Sequence, residues 1–201
     1  MTKNIKKILK VIEIVVAIIC YFVFVKQDDV YVLSDSNDMG KDKEQRICSD
    51  RIKIIDGDTV ELAGQRFRLA CVDTPESKYK GKSQYCLDDE TDCGKLAQEA
   101  LEMIIHKNLK ESGKICCGWI KKDKYDRYLA WCDNGIDEMI PFYETINYNL
   151  ISGGYAWFYD GGKECDMFVE PFVDALKNKR GLFNESVGGF KEPKEWRKEN
   201  E

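Results

Sequence analysis

Residues 51–72 fall into three short, apolar-leaning stretches set apart by turn residues, and that spacing predicts paired strands rather than a helix. Residues 51–55 alternate toward an apolar strand. The corner Asp56-Gly57-Asp58 turns into a second strand over 59–62. Ala63-Gly64-Gln65 is a short hairpin connection, and 66–72 supply a third strand. Residues 114–120 and 128–132 form a second hairpin around 121–127. Helical periodicity runs over 93–109, where Leu96, Ala97, Ala100, Leu101, Ile104 and Ile105 share a face. A second helix fits 145–152, ended by Gly153-Gly154. A third fits 170–179, with Pro171 in its first turn and Gly181 beyond its end. Five short strands with about three helices between and after them predict an α+β fold built on a five-stranded OB-fold β-barrel.

The first 26 residues have a different character. Lys3, Lys6, Lys7 and Lys10 precede an apolar run from Val11 to Val25 that only Glu13 interrupts. A basic region followed by an apolar core reads as a signal peptide or a transmembrane signal anchor. Tyr21, Phe22, Val23, Phe24 and Val25 are too bulky for a small-x-small cleavage site, which favours an uncleaved anchor. The lysines before the run, and Asp28, Asp29, Asp35 and Asp38 after it, orient the chain with its body outside the cytoplasm, bound to the membrane through this helix or secreted if the signal is cleaved. Polar residues 27–47 read as a flexible linker. A folded, monomeric domain is expected over 48–187, and residues 188–201 read as a charged surface tail.

The net charge of -5, with a third of the 201 residues charged, fits a globular body and gives no electrostatic signature of nucleic-acid binding. His106 is the single histidine, which excludes two-histidine ribonuclease chemistry and histidine-rich zinc sites.

Chemistry concentrates at Asp56, Asp58, Arg68, Asp73 and Glu76. Asp56 and Asp58 stand two apart at a strand corner, and Asp73 ends a neighbouring strand. Pairing through the short hairpin brings Asp58 and Asp73 to one end of the sheet, where carboxylates suit a hard cation. Pro75 fixes the chain before Glu76, whose carboxylate can accept a proton from water. Taken singly, an Asp-Gly-Asp can equally be a capped turn, and an isolated glutamate is commonly a solvated loop residue. Arg68 precedes Asp73 by five, an odd spacing that places the two on opposite faces of a flat strand. A bulge is needed to bring them to one site.

These segments resemble the staphylococcal-nuclease (thermonuclease) family. The likeness lies in Ile55-Asp56-Gly57-Asp58-Thr59-Val60, Phe67-Arg68-Leu69, Val72-Asp73-Thr74-Pro75-Glu76 and Asp123-Lys124-Tyr125-Asp126-Arg127-Tyr128-Leu129-Ala130. It returns weakly in Asn147-Tyr148-Asn149-Leu150 and Gly154-Tyr155-Ala156, so that it covers about 48–183. The resemblance implies a calcium-dependent phosphodiesterase acting on DNA and/or RNA. It implies calcium on Asp58, Asp73 and the Thr74 carbonyl, with Asp56 nearby. It implies Glu76 as general base, Arg68 and Arg127 as the arginines that grip the scissile phosphate, and Lys124 and Tyr125 as contacts to a terminal phosphate. Asp126 stands where relatives commonly have glycine, and aspartate tolerates the left-handed conformation such a turn needs. Tyr155, Trp157 and Tyr159 are candidates to stack on a base, with core packing favoured for at least two of them. The alternative is a catalytically inactive OB-fold module, tethered to the membrane, that binds nucleic acid or protein.

Eight cysteines follow Cys20, and outside the cytoplasm they would tend to pair. Cys86 and Cys93 bracket a short acidic loop. Cys117 and Cys132 fall on the two arms of the second hairpin. Both pairs are the expected disulfides, exported relatives carrying cysteines in similar places, and Cys71 is expected as a buried thiol. No C-x-x-C occurs to support zinc.

Overall fold

The computed structural model describes residues 45–136, 141–159 and 162–201, without the side chain of Ile120. The expected anchor at 1–26 and all but the last three residues of the linker lie outside the described residues. Among those described, no helix is long and apolar enough to cross a membrane.

The fold is α+β with an OB-type barrel. One curled sheet has the order β1-β6-β7-β4-β3-β2, and β5 pairs with β8 apart from it. The strands are β1 (Gln45–Ser49), β2 (Ile52–Ile54), β3 (Thr59–Leu62), β4 (Gln65–Leu69), β5 (Val72–Asp73), β6 (Ile115–Lys122), β7 (Tyr128–Asp133) and β8 (Trp157–Phe158). The helices are α1 (Cys93–Ser112), α2 (Ile146–Ser152), α3 (Val169–Lys177) and α4 (Pro193–Glu199). Each of the five strands and three helices expected between residues 51 and 179 has a counterpart here. The additions are β1, the short β5–β8 pair and α4. Residues 45–47, expected as linker, belong to β1, which runs antiparallel to β6.

Local chemistry explains the elements. Ala63 and Gly64 both have positive φ, 48° and 78°, so the link from β3 to β4 has the two-residue geometry that matches strand twist. At the start of α1, the Asp92 side chain accepts from the Lys95 N–H at 2.9 Å. At its end, left-handed Gly113 donates to the Leu109 carbonyl. The Thr145 side chain caps α2 in the same way as Asp92 caps α1. The inner face of α1 (Ala97, Ala100, Leu101, Ile105) is buried. In the main core, Leu101 and Ile105 join Val60, Leu62, Phe67 and Leu69 of the sheet and Ile146, Leu150 and Ile151 of α2. Each such large side chain contributes about 1.5–3 kcal/mol by leaving water.

Four disulfides brace this body: Cys86–Cys93, Cys117–Cys132, Cys48–Cys116 and Cys71–Cys165. The first two are the expected pairs. The third ties β1 to β6. The fourth corrects the reading of Cys71 as a thiol: its partner comes from a 3-10 turn at Lys163–Phe168, 94 residues away.

The segment 188–201, expected as a surface tail, is docked. Phe190 and Pro193 are buried, and the Phe190 ring stacks on Phe183 with centroids 5.1 Å apart.

Candidate active site

The site forms where β3 begins and β4 ends. Arg68 lies on the face of β4 opposite Phe67 and Leu69, which fill the core, and its backbone partner across the ladder is Thr59. The parity problem between Arg68 and Asp73 is solved by a break in the strand. Cys71 takes a φ of 61°, β4 stops at Leu69, and β5 restarts at Val72 in a new direction, toward β8. Buried Asn147 of α2 braces this kink. Its amide donates to the carbonyls of Ala70 and Ala130, both at 3.0 Å, and its oxygen accepts from the Cys132 N–H at 3.1 Å. The Cys71–Cys165 disulfide fixes the same corner covalently.

Beyond the kink, Arg68 and the acids meet. Arg68 Nη1 donates to Asp58 Oδ1 at 2.5 Å, and Nη2 donates to Asp73 Oδ1 at 2.8 Å. A single guanidinium thus spans both carboxylates, which are only 4% and 2% exposed. Burial alone would push the Arg68 pKa down, but the charges of Asp58 and Asp73 more than reverse this, so its positive charge is locked in. Asp58 also accepts from the Thr59 hydroxyl at 3.0 Å and, through Oδ2, from the Thr74 N–H at 3.2 Å. Gly57 makes that approach possible, since a Cβ there would stand 2.6 Å from Thr74 Oγ1.

Glu76 is placed by the loop that follows and by the first turn of α1. Its carbonyl accepts from the Gln84 N–H at 2.7 Å, and its N–H donates to Gln84 Oε1 at 3.3 Å. Gly94 lets the helix pass directly over this backbone, because a Cβ would lie 2.8 Å from Ser77 Cα. Burial raises the Glu76 pKa, opposed by a hydrogen bond from Arg197.

Arg127 reaches the group from the far end of the β6–β7 hairpin. Asp123 grips it through Nε at 2.8 Å and Nη2 at 2.7 Å, leaving Nη1 3.4 Å from Thr59 Oγ1, itself bonded to Asp58. Burial would raise the Asp123 pKa, but bonds from the Arg127 backbone and guanidinium hold it below the usual carboxylate range. Asp126 adopts the left-handed turn with φ 64°, and Lys122 Nζ neutralises it at 2.7 Å. Lys124 and Tyr125 stand exposed at the hairpin tip, with the Arg127 guanidinium 5.4 Å from the Tyr125 ring centre. Among the described residues, neither side chain makes a hydrogen bond or ion pair with Asp58, Asp73 or Glu76, although the Tyr125 N–H donates to Asp123 Oδ1 at 2.8 Å. Trp157 packs against Phe172, Phe183 and Phe190, and Tyr155 is partly buried, whereas Tyr159 is 45% exposed.

Arg197 of α4 was not anticipated from sequence. Its Nη1 donates to Glu76 Oε1 at 2.6 Å and to Asp73 Oδ1 at 3.1 Å, and its Nη2 donates to Asp73 Oδ2 at 2.9 Å. An arginine in a charged terminal segment carries no local signal of such a role.

Among the described residues no three acidic, histidine or cysteine side chains converge into a complete metal cage. What does converge is a pair of buried carboxylates whose charge is met by guanidinium. All-oxygen donors of this kind, with water, backbone carbonyl and substrate oxygens to fill the remaining positions, suit calcium or magnesium better than zinc.

Asp56 gives the group a pH dependence. Its Oδ1 accepts from the Asp58 N–H at 3.1 Å, and burial, then the charge of Asp58, raises its pKa from 3.8 to about 7. Between those values the folded chain holds a proton that the unfolded chain releases, so stability falls as pH rises from about 4 to about 7 and levels off above. In chelator, the melting temperature of Asp56→Asn should lack this component of the slope. Parallel curves for the two proteins would mean that Asp56 titrates normally.

The staphylococcal nuclease homologue family matches residues 66–185, more than half of the chain. Over 148 residues the chain is 34% identical to the uncharacterized protein MJ1439 of Methanocaldococcus jannaschii, covering 66% of this chain and 70% of that one. It is 37% identical over 82 residues to the succinoglycan biosynthesis protein ExoI of Rhizobium meliloti, covering 39% of this chain and 38% of that protein. It is 25% identical over 155 residues to the endonuclease YhcR of Bacillus subtilis, covering 72% of this chain but 12% of that protein. The last two relatives are thus matched over well under half of their own lengths. By the span of the family match and the likeness to the archaeal protein, the chain belongs to the staphylococcal nuclease homologue family.

Proposed function

We propose that this protein is a calcium-dependent nuclease that hydrolyses phosphodiester bonds of DNA and/or RNA. The observation that carries the reading is the bridge made by Arg68 across Asp58 and Asp73, with Glu76 and Arg127 joined to the same network through Arg197 and Thr59. Likeness to an endonuclease over 72% of the chain supports it.

Calcium held by Asp58, Asp73 and the Thr74 carbonyl, with Asp56 close by, would supply positive charge that orients the phosphate and would acidify water only modestly. The residues of the chain do the rest. Glu76 takes the proton of the attacking water, and burial, by raising its pKa, makes it a stronger base. Arg68 and Arg127 meet the negative charge that builds on the phosphate oxygens, where one fixed donor is worth about 3 kcal/mol. A guanidinium can bind two oxygens at once and is too weak an acid to donate the final proton, so water protonates the leaving oxygen. Lys124 and Tyr125, exposed beside Arg127, contact a terminal phosphate. An inactive binding module has no need of Arg68, Glu76 and Arg127 together.

The body works as a monomer outside the cytoplasm, tethered by the apolar N-terminal segment. Four disulfides support an oxidising compartment. The test is to incubate the oxidised full chain with single- and double-stranded DNA and with RNA, in calcium and in chelator. Cleavage should appear in calcium and vanish in chelator. Cleavage indifferent to chelation would remove the metal from the mechanism, and tight binding without cleavage would favour the binding module.

A further inference from the structure

We infer that Arg197 is a tethered counter-cation of the metal site, so that divalent-ion binding and docking of α4 compete. This rests on the reading of Asp58 and Asp73 as metal ligands.

The first ground is geometry. Both oxygens of Asp73 are engaged by guanidinium groups: Oδ1 by Arg68 and Arg197, Oδ2 by Arg197. Arg197 also holds Glu76 Oε1, so one side chain binds a proposed metal ligand and the proposed base together. The guanidinium is 23% exposed and bound to carboxylates of 2% and 22% exposure, which makes this contact far drier than a surface ion pair. A divalent ion on Asp73 would stand within a few ångströms of this fixed positive charge. Arg197 must then withdraw for the ion to bind well.

The second ground is that α4 is built onto the loop that carries Glu76. Gln84 is fully buried and exchanges hydrogen bonds with Glu76 through its own backbone and side chain. Its Nε2 then donates to the Lys191 carbonyl at 2.7 Å, just before α4. The Leu87 N–H donates to the Gly189 carbonyl at 2.9 Å, Lys82 reaches Asn200, and the Trp196 ring meets Tyr79 edge-on at 6.1 Å. The segment is short and half exposed, which suits a latch of low local stability. It also lies beyond residue 185, where the family match ends.

In the docked state Arg197 compensates Asp73 and ties down Glu76. In the ion-bound state the ion compensates the acids, α4 loosens and Glu76 is released toward water. By linkage, whatever factor docking costs in ion affinity the ion costs in docking, and couplings of this kind are typically about 5–150-fold.

The test uses the oxidised full chain and calcium alone. Calorimetric titration compares wild type, Arg197→Gln, Asp73→Asn and the double variant, and hydrogen exchange follows residues 189–201 with and without calcium. Arg197→Gln should bind calcium at least about fivefold more tightly than wild type. Calcium should speed exchange in 189–201 of the wild type. Asp73→Asn should abolish binding in both backgrounds. Unchanged or weaker binding by Arg197→Gln, with Asp73→Asn still abolishing it, would overturn the latch and leave the metal site standing. Calcium binding that survives Asp73→Asn, or no calcium binding by any of the proteins, would overturn the site itself and the latch with it.

Discussion

Glu76→Gln is expected to lower the rate of cleavage by about 10²–10⁴-fold, the usual contribution of a positioned general base. The substitution keeps the shape of the side chain and an oxygen that can still accept from Arg197, so the docking of α4 has little reason to change. The backbone bonds that place the residue, to Gln84, are also untouched. The loss should therefore fall on kcat with KM nearly unchanged, because proton acceptance is made in the transition state and not in the bound substrate. The pH profile supplies a second readout. A base must be ionised to act, and burial raises the Glu76 pKa from 4.5, so the wild-type rate should begin to fall at a higher pH than an ordinary glutamate would give. The variant should lack that limb. A rate within a few-fold of wild type, with the acid limb retained, would move the base elsewhere.

What could be read in the sequence was what local chemistry dictates. The β3–β4 turn announces itself as Ala63-Gly64 between alternating strands, and α1 through its apolar stripe. The short-range pairs Cys86–Cys93 and Cys117–Cys132 follow from position in a loop and on a hairpin. The grouping of Asp58, Arg68 and Asp73 was visible as a cluster, but its geometry was not. It needs the kink at Cys71, held through Ala70 by Asn147, 77 residues further on, and directly by Cys165, 94 residues away. No periodicity or turn preference encodes contacts of that range. The same reason hid β1, whose strand character comes from pairing with β6, and Arg197, which meets Asp73 across 124 residues. A charged segment reads as solvated unless its few apolar residues are weighed, and Phe190, Pro193 and Trp196 were the available signal for docking.

Arg68→Ala separates the structural from the catalytic role of the site, because it should damage both by different routes. With the bridge gone, the two buried carboxylates keep the Thr59 hydroxyl, the Thr74 N–H and Arg197 among their partners in the described residues. Removing one member of a buried ion pair typically costs about 3–5 kcal/mol, and the surviving partners place the expected loss near the lower end. The loss should be largest in chelator. If calcium binds as proposed, it would compensate the two acids in place of the guanidinium, so saturating calcium should recover much of the melting temperature through binding linkage. It should not recover the rate. On the proposed mechanism the variant would still lack a donor for the phosphate in the transition state, worth about 3 kcal/mol or about a hundredfold. Arg68→Lys sharpens the argument: one ammonium restores the charge but cannot reach Asp58 and Asp73 with the planar fork that now spans them. Its stability should lie between wild type and alanine while its rate stays close to that of alanine. A calcium-saturated Arg68→Ala protein that recovered stability and cleavage together would reduce Arg68 to a stand-in for the ion and leave Arg127 alone on the phosphate.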